Sequence, residues 1–235
     1  MTANESATLS LLGRQMELLQ SLRKTGKPMV VIYIEGRPMD KSWAAANADA
    51  LLTAYYPGQE GGTAVADVLF GDYNPAGRLP ISVAAHVGQL PVYYNKRAPK
   101  PHNYVEMSAA PLYAFGYGLS YTQFAYSNLA IAKKGDAYSV TFDVKNVGER
   151  DGEEVAQLYI HDQVASVSQP LLQLKKFDRL SIAKGETRKV EFILTAEDLA
   201  IIDRNMKSVV EPGDFDIMVG GSSDNLPLRG VLTVE

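Results

Sequence analysis

The sequence predicts a partial α/β layer followed by an all-β antiparallel sandwich, and three observations predict it. Residues 1–95 alternate helical stripes with continuous apolar runs, the pattern of mainly parallel strands covered on both faces. From residue 124 short alternating segments recur about every 10–15 residues between turn signals, as in an antiparallel sandwich. Residues 96–123, with the aromatic and proline-rich stretch before them, fit neither pattern and read as an inter-domain segment.

Leu11, Leu12, Gln15, Met16, Leu18, Leu19 and Leu22 make a helical stripe, closed by Gly26 and blocked by Pro28. Met29-Val30-Val31-Ile32-Tyr33-Ile34 has no polar alternation, so it is read as a buried parallel strand. Glu35-Gly36-Arg37-Pro38 turns the chain into a short alanine-rich helix at 43–50. A second buried strand is expected at 50–56, a helix at 63–70 ended by Gly71, and a third strand at 78–83. Three or so strands make a small layer with open edges, which offers one route to a homodimer. Seven further strands are expected at 124–133, 138–146, 154–161, 171–180, 187–194, 215–220 and 230–234. Lys134-Gly135-Asp136 and Glu211-Pro212-Gly213-Asp214 are among the turns that separate them.

Composition narrows the function classes. Net charge is −4, and Lys and Arg form no concentrated stripe, which argues against nucleic acid as a partner. There are no cysteines, so thiol catalysis and cysteine-held metals are excluded. The three histidines, His86, His102 and His161, lie in unrelated segments without ligand spacing, and no metal or cofactor is expected. No run is apolar enough to span a membrane. Residues 1–6 lack the basic and apolar regions of a signal peptide.

The most specific stretches are Tyr56-Pro57-Gly58-Gln59-Glu60-Gly61-Gly62 and Gly71-Asp72-Tyr73-Asn74-Pro75-Ala76-Gly77-Arg78-Leu79-Pro80. Around them stand Gly26-Lys27-Pro28, Glu35-Gly36-Arg37-Pro38 and Phe115-Gly116-Tyr117-Gly118-Leu119-Ser120-Tyr121-Thr122. Val144-Lys145-Asn146-Val147-Gly148 and Gln157-Leu158-Tyr159 follow in the sandwich. In this order the motifs resemble the C-terminal part of glycoside hydrolase family 3, the β-glucosidase and β-xylosidase family. The resemblance implies the second half of an α/β sandwich domain over residues 1–95 and a fibronectin type III-like domain over 124–235. It also implies an N-terminal barrel domain as intramolecular partner, a carbohydrate substrate, and a periplasmic or secreted full-length enzyme.

Retaining glycosidases use two carboxyl groups about 5 Å apart, one as nucleophile and one as acid/base. By resemblance the nucleophile is an aspartate of the barrel, which these residues do not match, so the chain alone is expected to be inactive. The family's acid/base is a glutamate ahead of a Leu-x-Leu-Pro-x-x-Gln motif. Here Leu9-Ser10-Leu11-Leu12-Gly13-Arg14-Gln15 corresponds, and the glutamate position falls on Thr2. Glu5 lies nearby but three residues off register, so the catalytic residues stay unassigned.

Glu60 opens a helix among glycines, either as a helix-start carboxylate or as a contact to sugar. The tyrosines between Leu90 and Tyr121 suit a sugar-stacking rim or, the favoured reading, a seam between domains. His102 and Tyr104 join Glu60 as substrate-cleft candidates. A non-catalytic module that binds carbohydrate or protein, or serves as a structural unit, is the alternative to an enzyme portion.

Overall fold

The computed structural model describes residues 8–97 and 103–235. Two compact units result. One contains the described residues up to Tyr73 with Ser82–Val92 and Asn103–Tyr113; the other contains Asn74–Ile81, the described part of Tyr93–His102, and Ala114–Glu235. The fold class is the one the sequence predicts: an α/β unit and a β-sandwich.

In the first unit the order is α1 (Gln15–Arg23), β1 (Val30–Tyr33), α2 (Ser42–Asn47), β2 (Ala50–Thr53) and α3 (Gly61–Phe70). β1 and β2 run parallel with Val30 opposite Ala50 and Tyr33 opposite Thr53. Met29, Val31 and Tyr33 point to one face, where they form a small core with Ala44 of α2. Leu11 and Leu19 of the α1 segment pack on the same cluster, so both helices cover one face of the strand pair. Much apolar surface stays uncovered. α1 buries none of its residues, and Ile34 and Phe70 are 67% and 84% exposed.

The third expected strand does not form a ladder. Pro80 interrupts it, bringing no donor and a fixed backbone angle. Leu79 instead exchanges hydrogen bonds with the 116–117 turn, and Val83 makes an isolated bridge to Tyr113.

The second unit is a sandwich. One sheet has the order β11 (Leu228–Val234), β10 (Gly213–Gly220), β5 (Gly152–Asp162), β6 (Gln173–Ile182); the other has β3 (Phe124–Lys134), β4 (Ala137–Asn146), β7 (Thr187–Leu194). All neighbours are antiparallel. Each of these seven strands overlaps a predicted segment, because alternation here coincides with burial. Val140, Phe142 and Val144 of β4 face Ala156, Leu158 and Ile160 of β5 and Phe215, Ile217 and Val219 of β10 in one core. Burying each such side chain contributes about 1.5–3 kcal/mol. The two-residue turn between β3 and β4 places Gly135 at φ +63°, a conformation that glycine adopts without steric cost.

β5 is buried on both faces. Its outer residue Tyr159 lies edge-on to Tyr94 at 5.9 Å, and Tyr94 stacks on Phe115 at 4.2 Å between ring centroids, while Gln157 donates to the Gly116 and Gly221 carbonyls at 3.4 and 2.6 Å. These aromatic side chains therefore cover the back of a sheet within the second unit. Helix α4 (Ala196–Leu199) and the short pair β8 (Ile201–Ile202) and β9 (Ser208–Val209) carry too few residues for a periodic signal.

Candidate functional site

Parallel strands direct their C-terminal ends toward a common edge, where α/β proteins place their ligand-binding loops. The loop after β1 is Glu35-Gly36-Arg37-Pro38, and the loop after β2 carries Tyr55, Tyr56 and the Pro57–Gly62 run. A cleft of about 870 Å³ runs from Leu11 and Leu12, ahead of α1, and Leu18 and Leu19 of α1 along β1 to Glu35, Gly36, Arg37 and Tyr56. Gly36 shapes its end. A Cβ there would stand 2.1 Å from the Tyr56 hydroxyl, so the tyrosine ring lies directly against a bare backbone.

Beneath this edge lies a buried ion pair. Glu35 continues the inward row of Met29, Val31 and Tyr33, which carries its carboxylate into the interior. An unpaired carboxylate there would cost several kcal/mol. It accepts hydrogen bonds from the Lys41 ammonium on Oε1 and from the Met39 backbone N–H on Oε2, at 3.0 Å for the latter. Lys41 is 2% exposed and its Nζ lies 4.6 Å from the Tyr33 ring centroid. Burial lowers the Lys41 pKa below the ordinary 10.5, opposed by the hydrogen bond and charge of Glu35. Burial, and then the charge of Glu35, pushes the Tyr33 phenol up. The Tyr33 hydroxyl is buried without a hydrogen-bond partner among the described residues.

Three carboxylates are buried among the described residues, and each has a partner. Glu35 holds Lys41. Glu154 accepts from Arg78 Nη2 at 2.5 Å and from the Tyr126 hydroxyl at 2.7 Å. Asp162 accepts from the Val164 backbone at 3.2 Å. A carboxylate held in this way is positioned for structure, whereas an acid/base must exchange its proton with substrate. No group of His, Asp and Glu suited to a metal ion occurs among the described residues.

Of the predicted candidates, Glu5 and His102 lie outside the described residues. Glu60 sits at the N-cap of α3, exposed, with no side-chain cap bond. Tyr104 is 41% exposed and donates its hydroxyl to the Gly88 carbonyl at 2.9 Å. Neither lines the cleft. The interior pair Glu35–Lys41 was not singled out from sequence. The usable signal was parity, since Glu35 falls two residues after buried Tyr33 on the same side of an extended chain.

Comparison with known proteins places these features. Residues 2–121 match the family model described as the glycosyl hydrolase family 3 C-terminal domain, and residues 154–223 match the fibronectin type III-like domain. A β-xylosidase of Formosa agariphila is 42% identical over 98% of this chain and 33% of its own length. A periplasmic β-glucosidase of Salmonella typhimurium is 38% identical over 94% of this chain and 31% of its own length. The solved structure of a β-glucosidase from Erythrobacter marinus superposes with a TM-score of 0.92 at 41% identity, covering 97% of this chain and 31% of that one. The chain thus spans about a third of the length of the relatives it matches.

Proposed function

Since the chain belongs to glycoside hydrolase family 3, we propose that it serves as the C-terminal part of an enzyme hydrolysing terminal β-linked sugars, of the β-glucosidase or β-xylosidase kind. The reaction is the retaining one, with an enzyme-bound glycosyl intermediate and two carboxyl groups. This chain supplies scaffold and part of the cleft wall, while the nucleophile comes from a barrel domain outside these residues. The single observation that carries the reading is the full-length match to glycosidases at 42% identity, of which this chain covers only 33%. The uncovered apolar surface of α1 and α3 supports it, because a face of that kind is ordinarily buried against further protein.

Among the substrate-contact candidates, Glu60 keeps a side chain free of cap bonds at the loop edge, and Tyr104 keeps its ring half exposed with its hydroxyl engaged. We assign Glu60, His102 and Tyr104 to the wall of the longer enzyme's substrate cleft, separate from the cleft beside α1, and not to bond cleavage. The periplasmic Salmonella relative supports a periplasmic or secreted location for the longer enzyme.

The test is turnover of p-nitrophenyl β-glucoside and β-xyloside. The 235-residue chain alone is expected to release no nitrophenol. Mixed with the part of the Formosa β-xylosidase that precedes its matched region, it is expected to gain activity on one of the two substrates. Activity in the chain alone, lost on Glu60→Gln, would move the catalytic centre into these residues and overturn the assignment.

A further inference from the structure

Residues 103–110 are an exposed segment that secondary structure does not hold. They form neither helix nor strand, none of their side chains is fully buried, and among the described residues no backbone–backbone hydrogen bond reaches them. The run 83–89 lies alongside. The two begin as an antiparallel pair, with the Val83 N–H donating to the Tyr113 carbonyl and the Leu112 N–H to the Val83 carbonyl, both at 2.8 Å. The ladder stops at that bridge. Beyond it the Gln89 side chain, 7% exposed, makes the bonds that backbone would otherwise make. Its Oε1 accepts from the Ala85 N–H at 2.7 Å, and its Nε2 donates to the Ser108 and Ala110 carbonyls at 3.2 and 2.9 Å.

A primary amide carries the donor and acceptor of a peptide unit, so one glutamine can stand in for a rung of ladder. The partners also fix its orientation, since an N–H must face its oxygen and two carbonyls its nitrogen. The run around Gln89 is itself anchored. The Ser42 hydroxyl at the start of α2 donates to the Ala85 carbonyl at 2.7 Å, and the His86 ring accepts from the Gly88 N–H at 3.1 Å. On the facing segment the Tyr104 hydroxyl donates to the Gly88 carbonyl at 2.9 Å. Asn103 Oδ1 accepts from the Ala109 N–H and the Ser108 hydroxyl from the Ala110 N–H, both at 3.1 Å. Tyr104 thus spends its hydroxyl on the frame and keeps its ring 41% exposed. That arrangement suits stacking on the C–H face of a sugar and not the movement of a proton.

We infer that Gln89 is a positioning residue: it clamps residues 103–110 so that Tyr104 stands in the substrate-cleft wall of the longer enzyme, and it acts on sugar binding rather than on bond cleavage. The inference rests on the glycosidase reading and on the assignment of Tyr104 made with it. Gln89 itself touches no sugar. A ring held in one place binds substrate and transition state alike, so losing the clamp raises KM and leaves kcat near its starting value. Once released, the segment has no ladder and no buried side chain to restore its path. The entropy of ordering it then falls on substrate binding.

Amide hydrogen exchange on the intact chain reads the clamp, and turnover of p-nitrophenyl β-glucoside and β-xyloside reads its use. Gln89→Leu is expected to speed exchange at Ala85, Ala109 and Ala110 by about 10-fold or more. Ala54, which donates to the Tyr33 carbonyl at 2.8 Å, should keep its rate. Gln89→Glu keeps the acceptor for Ala85 but sets an oxygen against two carbonyls. At neutral pH it should protect Ala85 and release Ala109 and Ala110. Their protection, relative to the unaltered chain at the same pH, should return in part once acid supplies a carboxyl proton. A side chain that merely fills space would show no such split. Mixed with the part of the Formosa agariphila β-xylosidase that precedes its matched region, Gln89→Leu should raise KM about 3- to 10-fold and change kcat by less than about twofold. Tyr104→Ala should do the same, and the double variant should add nothing further. Unchanged exchange at Ala109 and Ala110 in Gln89→Leu overturns the clamp. So does loss of native Trp43 fluorescence in both Gln89 variants, since Gln89 would then be an ordinary core residue. Fast exchange with an unmoved KM, a fall in kcat alone, or additive KM effects each remove its part in binding and leave the glycosidase reading standing. If the unaltered chain gains no turnover, that reading fails and this role fails with it, whatever the exchange shows.

Discussion

The ammonium of Lys41 is hydrogen-bonded to the carboxylate of Glu35 inside the α/β unit, with the two side chains 2% and 5% exposed. They come from a loop that leaves β1 and from the residue just before α2, six positions apart. The pair fixes the path of the Glu35-Gly36-Arg37-Pro38 loop, because Glu35 also caps the Met39 amide.

Breaking this pair on one side should cost about 3–5 kcal/mol, since the remaining charge stays buried. Lys41→Met and Glu35→Gln are expected to lower the urea midpoint of the first unit, with Lys41→Met the more damaging. The double variant Glu35→Gln/Lys41→Met should recover part of the loss. Trp43, the one tryptophan, packs on the Met29/Val31/Tyr33 cluster and reports this unit selectively by fluorescence. Equal loss in single and double variants would show that the pair is not coupled.

A second ion pair anchors the Gly77-Arg78-Leu79-Pro80 segment in the sandwich unit. Arg78→Met should destabilise that unit by about 3–5 kcal/mol by stranding Glu154. Tyr126→Phe should cost about 1.5–3 kcal/mol, the range for a hydrogen bond to a charged group. The two effects should be non-additive, because both partners share one carboxylate. Calorimetry with the double variant measures the coupling, and strict additivity would contradict it.

Asp162 makes stability depend on pH in a predictable sense. Burial raises its pKa above the ordinary 3.8; the Val164 N–H bond opposes this and the charge of Glu211 adds to it. The folded state therefore binds the proton more tightly than the unfolded chain. The stabilisation is fully present below pH 3.8 and is lost as pH rises through the folded pKa. Asp162→Asn keeps an acceptor for Val164 and removes the charge. It should be more stable than the parent at pH 7, with the difference vanishing below pH 3.8 in denaturant titrations followed by tyrosine circular dichroism. A constant difference at all pH values would exclude the carboxyl as its source.

Two glycines with close contacts should respond differently to alanine. At Gly118 a Cβ would stand 2.4 Å from the Gly77 carbonyl oxygen and 3.0 Å from Arg78 Cδ. Backbone cannot swing aside, so Gly118→Ala should cost about 1–3 kcal/mol of overpacking. At Gly36 the obstacle is the Tyr56 hydroxyl, the far end of a side chain that is 79% exposed. Gly36→Ala should leave stability within about 0.5 kcal/mol. Thermal midpoints of the two variants, read in their own units, test the contrast, and a larger loss at Gly36 would reverse it.

The sequence by itself determined the fold class, α/β followed by a sandwich, the seven principal strands of the sandwich, and the family. Those features are local. Val140, Phe142 and Val144 alternate because one face of β4 meets the core, so burial is written into the spacing. The glycine loops Pro57–Gly62 and Gly71–Pro80 are legible for the same reason, since turn chemistry belongs to the residues that turn. What only the tertiary structure decided depends on pairings between distant or unpatterned residues. The 78–83 run has the composition of a strand, yet Pro80 and the 116–117 turn leave it outside any ladder. The tyrosine-rich stretch matched either a cleft rim or a seam, and contact with Tyr159 puts Tyr94 on the back of β5. Glu35 and Lys41 carry no motif; they become a pair only when β1 and the segment before α2 fold against each other.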